Sequence, residues 1–271
     1  MIRLLLTDVD GTLIGTGSVI HPRVLEAISK ANASELHLAI CTGRPSFSRA
    51  SQYATLVSPN EPHIFQNGAH VATLFGRTIQ SSVLNVAAYR ALVAVSRRVG
   101  VTLEVYTETR CLVEQHSAIA EAHQELIGMR AQHTDLFSVT EPVLRVQWVN
   151  TRREQPRLEA EMQRISQIQY SSAGTPDMPE ALFTSVTQTG TSKLEGAAAL
   201  ARFYGVALSE VMMVGDGDND IEVLQGVGLG VAMGNASAGA VAAAQHRVRH
   251  VDEGGLADAI ELALETRAVN A

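Results

Sequence analysis

Short apolar runs that stop abruptly at acidic or hydroxyl residues constrain this chain most. The first, Leu4-Leu5-Leu6, runs into Thr7-Asp8-Val9-Asp10-Gly11-Thr12-Leu13. Such a run closed by Asp and Gly reads as a buried strand leading into a polar loop. His37-Leu38-Ala39-Ile40-Cys41 repeats the pattern and ends in Thr42-Gly43-Arg44-Pro45. Val211-Met212-Met213-Val214 repeats it again and ends in Gly215-Asp216-Gly217-Asp218-Asn219-Asp220. His63-Ile64-Phe65-Gln66 is a further short strand, followed by a turn at Asn67-Gly68. Between the strands lie helical spacings, as in Pro22 to Asn32, where Pro22 suits a first turn. Strands apolar on both faces and alternating with helices predict an α/β fold built on a doubly wound parallel sheet. Ligands of such a sheet bind at the carboxyl ends of its strands.

Residues 82–187 have a different texture. A helical stretch from Val83 to Val99 is followed by half-polar strands, of which Leu144-Arg145-Val146-Gln147-Trp148-Val149 alternates most clearly. Alternation predicts a sheet with one wet face, so this segment is expected to be a separate α+β insert. The core would then comprise 1–81 and 188–271.

Composition narrows the function. The 271 residues are 46% hydrophobic and carry a formal net charge of −7, an ordinary balance for a soluble globular protein. The negative charge argues against nucleic acid or an anionic membrane as partner. No apolar run reaches transmembrane length. Cys41 and Cys111 are far apart and lack metal-ligand spacing. Two isolated thiols and a start that leads directly into a strand fit a cytoplasmic protein.

The polar strand ends are where chemistry is expected. Asp8 and Asp10 lie two apart, so in an extended segment they face one side. Paired carboxylates need a cation or a retained proton between them, but the stretch read alone admits a plain β-turn equally well. Thr42-Gly43 followed by Pro45 is expected to gather a hydroxyl and backbone amides at a helix N-terminus, an anion site. Lys193 sits in the first turn of a helix capped by Ser192, where the dipole disfavours a cation. It is one of only two lysines, with Lys30; a compact ammonium among many arginines hints at a specific use. Asp216, Asn219 and Asp220 form the second acidic cluster. It is not an EF-hand loop, because the turn glycine and closing glutamate are misplaced. Two acidic clusters, a hydroxyl and one ammonium describe a magnesium-assisted phosphoryl site.

These motifs taken together resemble the haloacid dehalogenase-like phosphatases, in the Cof-type sugar-phosphatase branch. They are Asp8 to Leu13, Cys41 to Arg44, Thr191-Ser192-Lys193 and Gly215 to Asp220, with Asn67-Gly68-Ala69 and Gly228 to Ala236 also similar to that branch. The resemblance implies a Rossmann-like core with an inserted C2-type cap. It implies Asp8 as nucleophile and magnesium ligand. Asp10 would be general acid and base, its backbone carbonyl on the metal. Thr42, Gly43, Lys193 and Asn219 would hold the phosphoryl group; Asp216 would complete the Mg2+ site, with Asp220 orienting Lys193 or a metal-bound water. The approach Thr187-Gln188-Thr189-Gly190-Thr191 departs from the branch by lacking its usual proline or hydrophobic residue. The implied substrate is a small phosphorylated metabolite such as a sugar phosphate, handled by a monomer or weak homodimer. A phosphomutase with the same aspartyl-phosphate chemistry, or a phosphometabolite-binding regulator with little turnover, are the alternatives.

Overall fold

A computed structural model describes residues 1–115, 117–175 and 178–268. The chain divides into two compact units. One comprises Met1–Arg44, Ala50–Gln80 and Ser192–Ala271, the other Pro45–Arg49 and Ser81–Thr191. The sequence reading placed the boundaries at 81/82 and 187/188 and did not anticipate that residues 45–49 pack with the second unit.

The first unit is built on a five-stranded parallel sheet. Its order is His246–Arg247, Leu229–Ala232, Val211–Gly215, Leu4–Thr7, His37–Ile40. Alternate residues of each strand supply opposite layers, because neighbouring side chains on a strand point to opposite faces. Leu5, Leu38, Met212 and Val214 pack with the helices Pro22–Asn32, Ala50–Val57 and Gly255–Ala268. Leu4, Leu6, Ala39 and Met213 pack with the helix Lys193–Tyr204 and the short helices that follow it. Burial on both sides explains why these strands are apolar without alternation.

Two expectations fail here. His63–Phe65 bridges to the parallel sheet by its backbone only at the isolated Cys41–Ile64 pair; its ladder is instead antiparallel, with His70–Ala72. Nor does Pro45 open a helix. The next helix begins at Ala50, and Phe47 packs beside Tyr106 and Met129 in the second unit.

The second unit holds a six-stranded sheet in the order Ile168–Thr175, Met178–Gln188, Arg145–Thr151, Leu103–Tyr106, Cys111–Val113, Ala131–His133. All neighbours whose pairing is described are antiparallel except the last two, which are parallel. Leu103, Val105, Val146 and Trp148 bury one face among side chains of the helices Val86–Val99 and Gln155–Met162. The opposite face is polar but not wet. Glu104, Arg145 and Gln147 are each at most 5% exposed. Glu104 accepts the Tyr106 hydroxyl at 2.5 Å, and amide hydrogens from Gln124 and Gln147 at 3.1 and 3.3 Å. Alternation located the polar positions, but partners remote in sequence buried them. Among the described residues, no helix is long and apolar enough to cross a membrane.

Candidate active site

The site grows from the carboxyl end of Leu4–Thr7. The Asp8 amide donates to the Val214 carbonyl at 2.9 Å, carrying the strand one residue further and leaving the Asp8 side chain buried. The chain then folds back, with the Leu13 and Ile14 amides both donating to the Val9 carbonyl. Gly11 makes this turn with φ of 78°, and a Cβ there would lie 2.3 Å from Asp216 Oδ2. Glycine thus lets the first loop close against the second acidic cluster. Thr12 donates its hydroxyl to Asp216 Oδ1 at 2.8 Å.

Asp216 follows the strand Val211–Gly215. Four residues on, Asp220 turns back on its own loop: its Oδ2 accepts the amides of Asp216 and Gly217 at 3.1 and 3.0 Å. Its Oδ1 accepts Lys193 Nζ at 2.6 Å. Both oxygens of Asp220 are therefore committed within the protein.

Lys193 does not come from the end of a parallel strand. It enters from the first turn of its helix, whose cap is Ser192, the hydroxyl accepting from the Glu195 amide at 3.2 Å. Its Nζ lies 2.7 Å from Asp8 Oδ1 as well. Two carboxylates offset the unfavourable helix dipole and the cost of burying an ammonium. Burial pushes Lys193 down, but Asp220 and Asp8 outweigh it and hold the ammonium above its ordinary range.

Asp8, Asp216 and Asp220 offer carboxylate oxygens within 4.8 Å of one another. Three acids facing one ammonium leave surplus negative charge. Burial, joined by Asp220, Asp10 and Asp216, pushes Asp8 up to about 8 against the opposing pull of Lys193. Burial likewise raises Asp216 to about 6 against the hydrogen bond from Thr12. Hard oxygen donors around a charge deficit fit a magnesium ion. Both oxygens of Asp220 already accept hydrogen bonds, whereas Asp8 and Asp216 each accept on one oxygen, so Asp8 and Asp216 are the carboxylates better placed to take it.

The Asp10 side chain stands outside this trio. It is 54% exposed and forked by Arg44, with Nε donating to Oδ2 at 2.8 Å and Nη2 to Oδ1 at 2.5 Å. Thr42 is buried; its amide donates to the Ile64 carbonyl at 2.9 Å, and its hydroxyl accepts the Arg44 amide at 3.2 Å. Asn219 is exposed and donates to Asn67 Oδ1 at 3.1 Å. Asp218, also exposed, accepts the Ser237 hydroxyl. The strand-end loops and the helix of Lys193 thus bring Asp8, Asp216, Asp220 and Lys193 together. Sequence reasoning gave no role to Thr12, Arg44 or Asn67. Each lies within or beside a motif it quoted, and position inside a motif was the available signal.

The sequence profile of the haloacid dehalogenase-like hydrolases matches residues 5–260. The chloroplastic endoribonuclease YBEY of Arabidopsis thaliana is 28% identical over 280 residues, covering 93% of this chain and 45% of that protein. The chain thus spans less than half of that relative's length. YxeH of Bacillus subtilis is 24% identical over 269 residues, covering 96% of this chain and 97% of that protein. Among solved structures, the subclass IIB sugar phosphatase BT4131 superposes with a TM-score of 0.81 at 25% identity, covering 96% of this chain and 98% of that one. With a profile match over nearly its whole length and the same fold as a solved relative, the chain belongs to the haloacid dehalogenase-like hydrolases.

Proposed function

We propose that the chain is a magnesium-dependent phosphatase that hydrolyses a small phosphorylated metabolite through an aspartyl-phosphate on Asp8, with the second unit as its cap domain. The carrying observation is the ammonium of Lys193 held between Asp8 and Asp220 beside a third acid, Asp216. A mere binding site for a phosphate has no use for three carboxylates, which repel it. The sugar phosphatase activity of the structural relative BT4131 points to a sugar phosphate as the substrate class.

Asp8 attacks phosphorus through a carboxylate oxygen while the bond to the leaving oxygen breaks. Lys193 favours the ionised Asp8 that this attack needs. Asp10 gives its proton to the leaving alcohol, then takes one from the water that hydrolyses the acyl phosphate, which regenerates Asp8 and releases phosphate. Thr42, the Gly43 amide, Lys193 and Asn219 hold the phosphoryl oxygens. Magnesium would be held by the Asp8 and Asp216 carboxylates and the Asp10 carbonyl; when bound it neutralises charge on the phosphoryl group.

The test is Asp8→Asn assayed on p-nitrophenyl phosphate with Mg2+. The substitution keeps the shape and removes one charge from an over-charged cluster, so the variant should fold at least as stably without metal and show no turnover. Wild-type turnover would overturn the nucleophile assignment.

A further inference from the structure

Three successive residues, Gln66, Asn67 and Gly68, hold left-handed backbone conformations with φ of 53°, 55° and 92°. Two of them are not glycine, and such strain persists only where the surroundings enforce it and something is gained. What the turn does is touch three remote segments at once. The Asn67 amide donates to the Thr42 carbonyl at 3.0 Å, and the Gln66 amide to the Arg44 carbonyl at 3.1 Å. The Asn67 side chain lies against the α-carbon of Gly43, where a Cβ would stand 3.1 Å from Asn67 Oδ1. Gly68 abuts the start of the Lys193 helix so closely that a Cβ would fall 1.9 Å from the Ser192 carbonyl oxygen. Asn67 Oδ1 accepts Asn219 Nδ2. The segments touched carry all four residues assigned above to the phosphoryl group: Thr42, Gly43, Lys193 and Asn219.

We infer that Asn67 is a positioning residue for phosphoryl binding, acting through Asn219 and the Thr42-Gly43 loop; the inference rests on the phosphatase reading. Asn219 is exposed and its Oδ1 lies against Gly217 of its own loop, so the bond to Asn67 is what ties its amide to the neighbouring loops. Its Nδ2 has two hydrogens; spending one on Asn67 sets the direction of the other. Asparagine meets both demands of position 67, since it tolerates the left-handed region better than most residues and its side chain supplies the acceptor. Aspartate would meet them too, but would set a negative charge beside the phosphoryl group. Glycine would keep the turn and lose the acceptor.

That difference separates positioning from plain structure. Asn67→Gly relieves the backbone and should hold Tm within about 3 °C of wild type. It should nevertheless weaken inhibition by orthovanadate and by inorganic phosphate, measured with Mg2+, about tenfold, the scale of one well-placed hydrogen bond. Asn219→Ala should cost a similar factor. The double variant should lose little more than either single one, because both remove the same arrangement. Asn67→Asp should weaken both inhibitors more than Asn67→Gly. An Asn67→Gly variant inhibited like wild type, or losses that multiply in the double variant, would overturn the positioning role alone. A wild-type protein that neither releases phosphate from any phosphomonoester nor binds orthovanadate would overturn the phosphatase reading and this inference with it.

Discussion

Lys193 donates to Asp220 across 2.6 Å, and the two side chains are 1% and 0% exposed. A pair so deeply buried is costly to break, on the order of 3–5 kcal/mol when one partner is removed, because the other is left charged in a poor solvent. Lys193→Met should therefore lower Tm and abolish turnover together. Lys193→Arg should not restore activity, since a planar fork cannot place one donor between Asp8 and Asp220 as an ammonium does. Thermal unfolding and p-nitrophenyl phosphate assays on the two variants check this, and an active arginine variant would sink it.

Asp216 and Asp220 differ in what their oxygens already do. Asp220 is used up by Lys193 and two loop amides, whereas Asp216 accepts from Thr12 on one oxygen and turns the other toward Gly11. Asp216→Asn should raise the Mg2+ concentration for half-maximal activity at least about tenfold, the usual range for loss of a metal-holding group. Asp220→Asn should mainly depress kcat. Chelation of the metal should silence the wild type. Mg2+ titrations showing equal shifts for the two variants would refute the distinction.

Arg44 forks Asp10, and both carboxylate oxygens are engaged. In the proposed mechanism Asp10 frees one oxygen to carry a proton, while a remaining contact to Arg44 still fixes its plane. If Arg44 orients the acid, Arg44→Ala should cut kcat/KM strongly for an alkyl phosphate, on the scale of about 10²-fold expected of general acid catalysis. It should cut much less for p-nitrophenyl phosphate, whose leaving group needs little protonation. An equal loss on both substrates would instead mark Arg44 as a phosphate-binding residue.

His63, remote from the acids, sets an acid limit on stability. It is fully buried, with Nδ1 accepting the Ile40 amide at 3.1 Å and Nε2 facing the Ser58 carbonyl at 3.0 Å. Burial lowers it to about 4, against the bond to Ser58, from an ordinary 6.5. Between those values the unfolded chain binds the extra proton and the folded chain does not, so stability rises with pH there and is lost as pH falls from 6.5 toward 4. The loss approaches about 3 kcal/mol at the lower end. Urea unfolding of wild type and His63→Gln should show a shallower acid decline in the variant; parallel declines would exclude His63 as the cause.

The alternation of apolar strands with helices made the parallel sheet legible, because burial on both faces is written into every residue of Leu4–Leu6 and Val211–Val214. Strand ends are equally local, so Asp8, Thr42 and Asp216 could be located at the edge of that sheet. His63–Phe65 misled because a short apolar strand carries no mark of whether its partner runs parallel or antiparallel. Pro45 misled because proline suits a helix start and a loop equally well.

By itself, then, the sequence determined the layered core, the change of texture over 82–187 and the acids, hydroxyl and ammonium that led to the phosphoryl-site proposal. Those follow from periodicity and from residue type at strand ends, over a few neighbours each. Only the tertiary structure decided how the set is shared out. Lys193 reaches Asp8 across 185 positions, Asp10 is held by Arg44, and Asp220 is spent inside the protein while Asp216 is not. Asn67 touches both the Thr42-Gly43 loop and Asn219, and residues 45–49 leave the first unit for the second. A side chain's partner depends on which remote segments packing brings within 3 Å of it, and no local pattern in the chain records that choice.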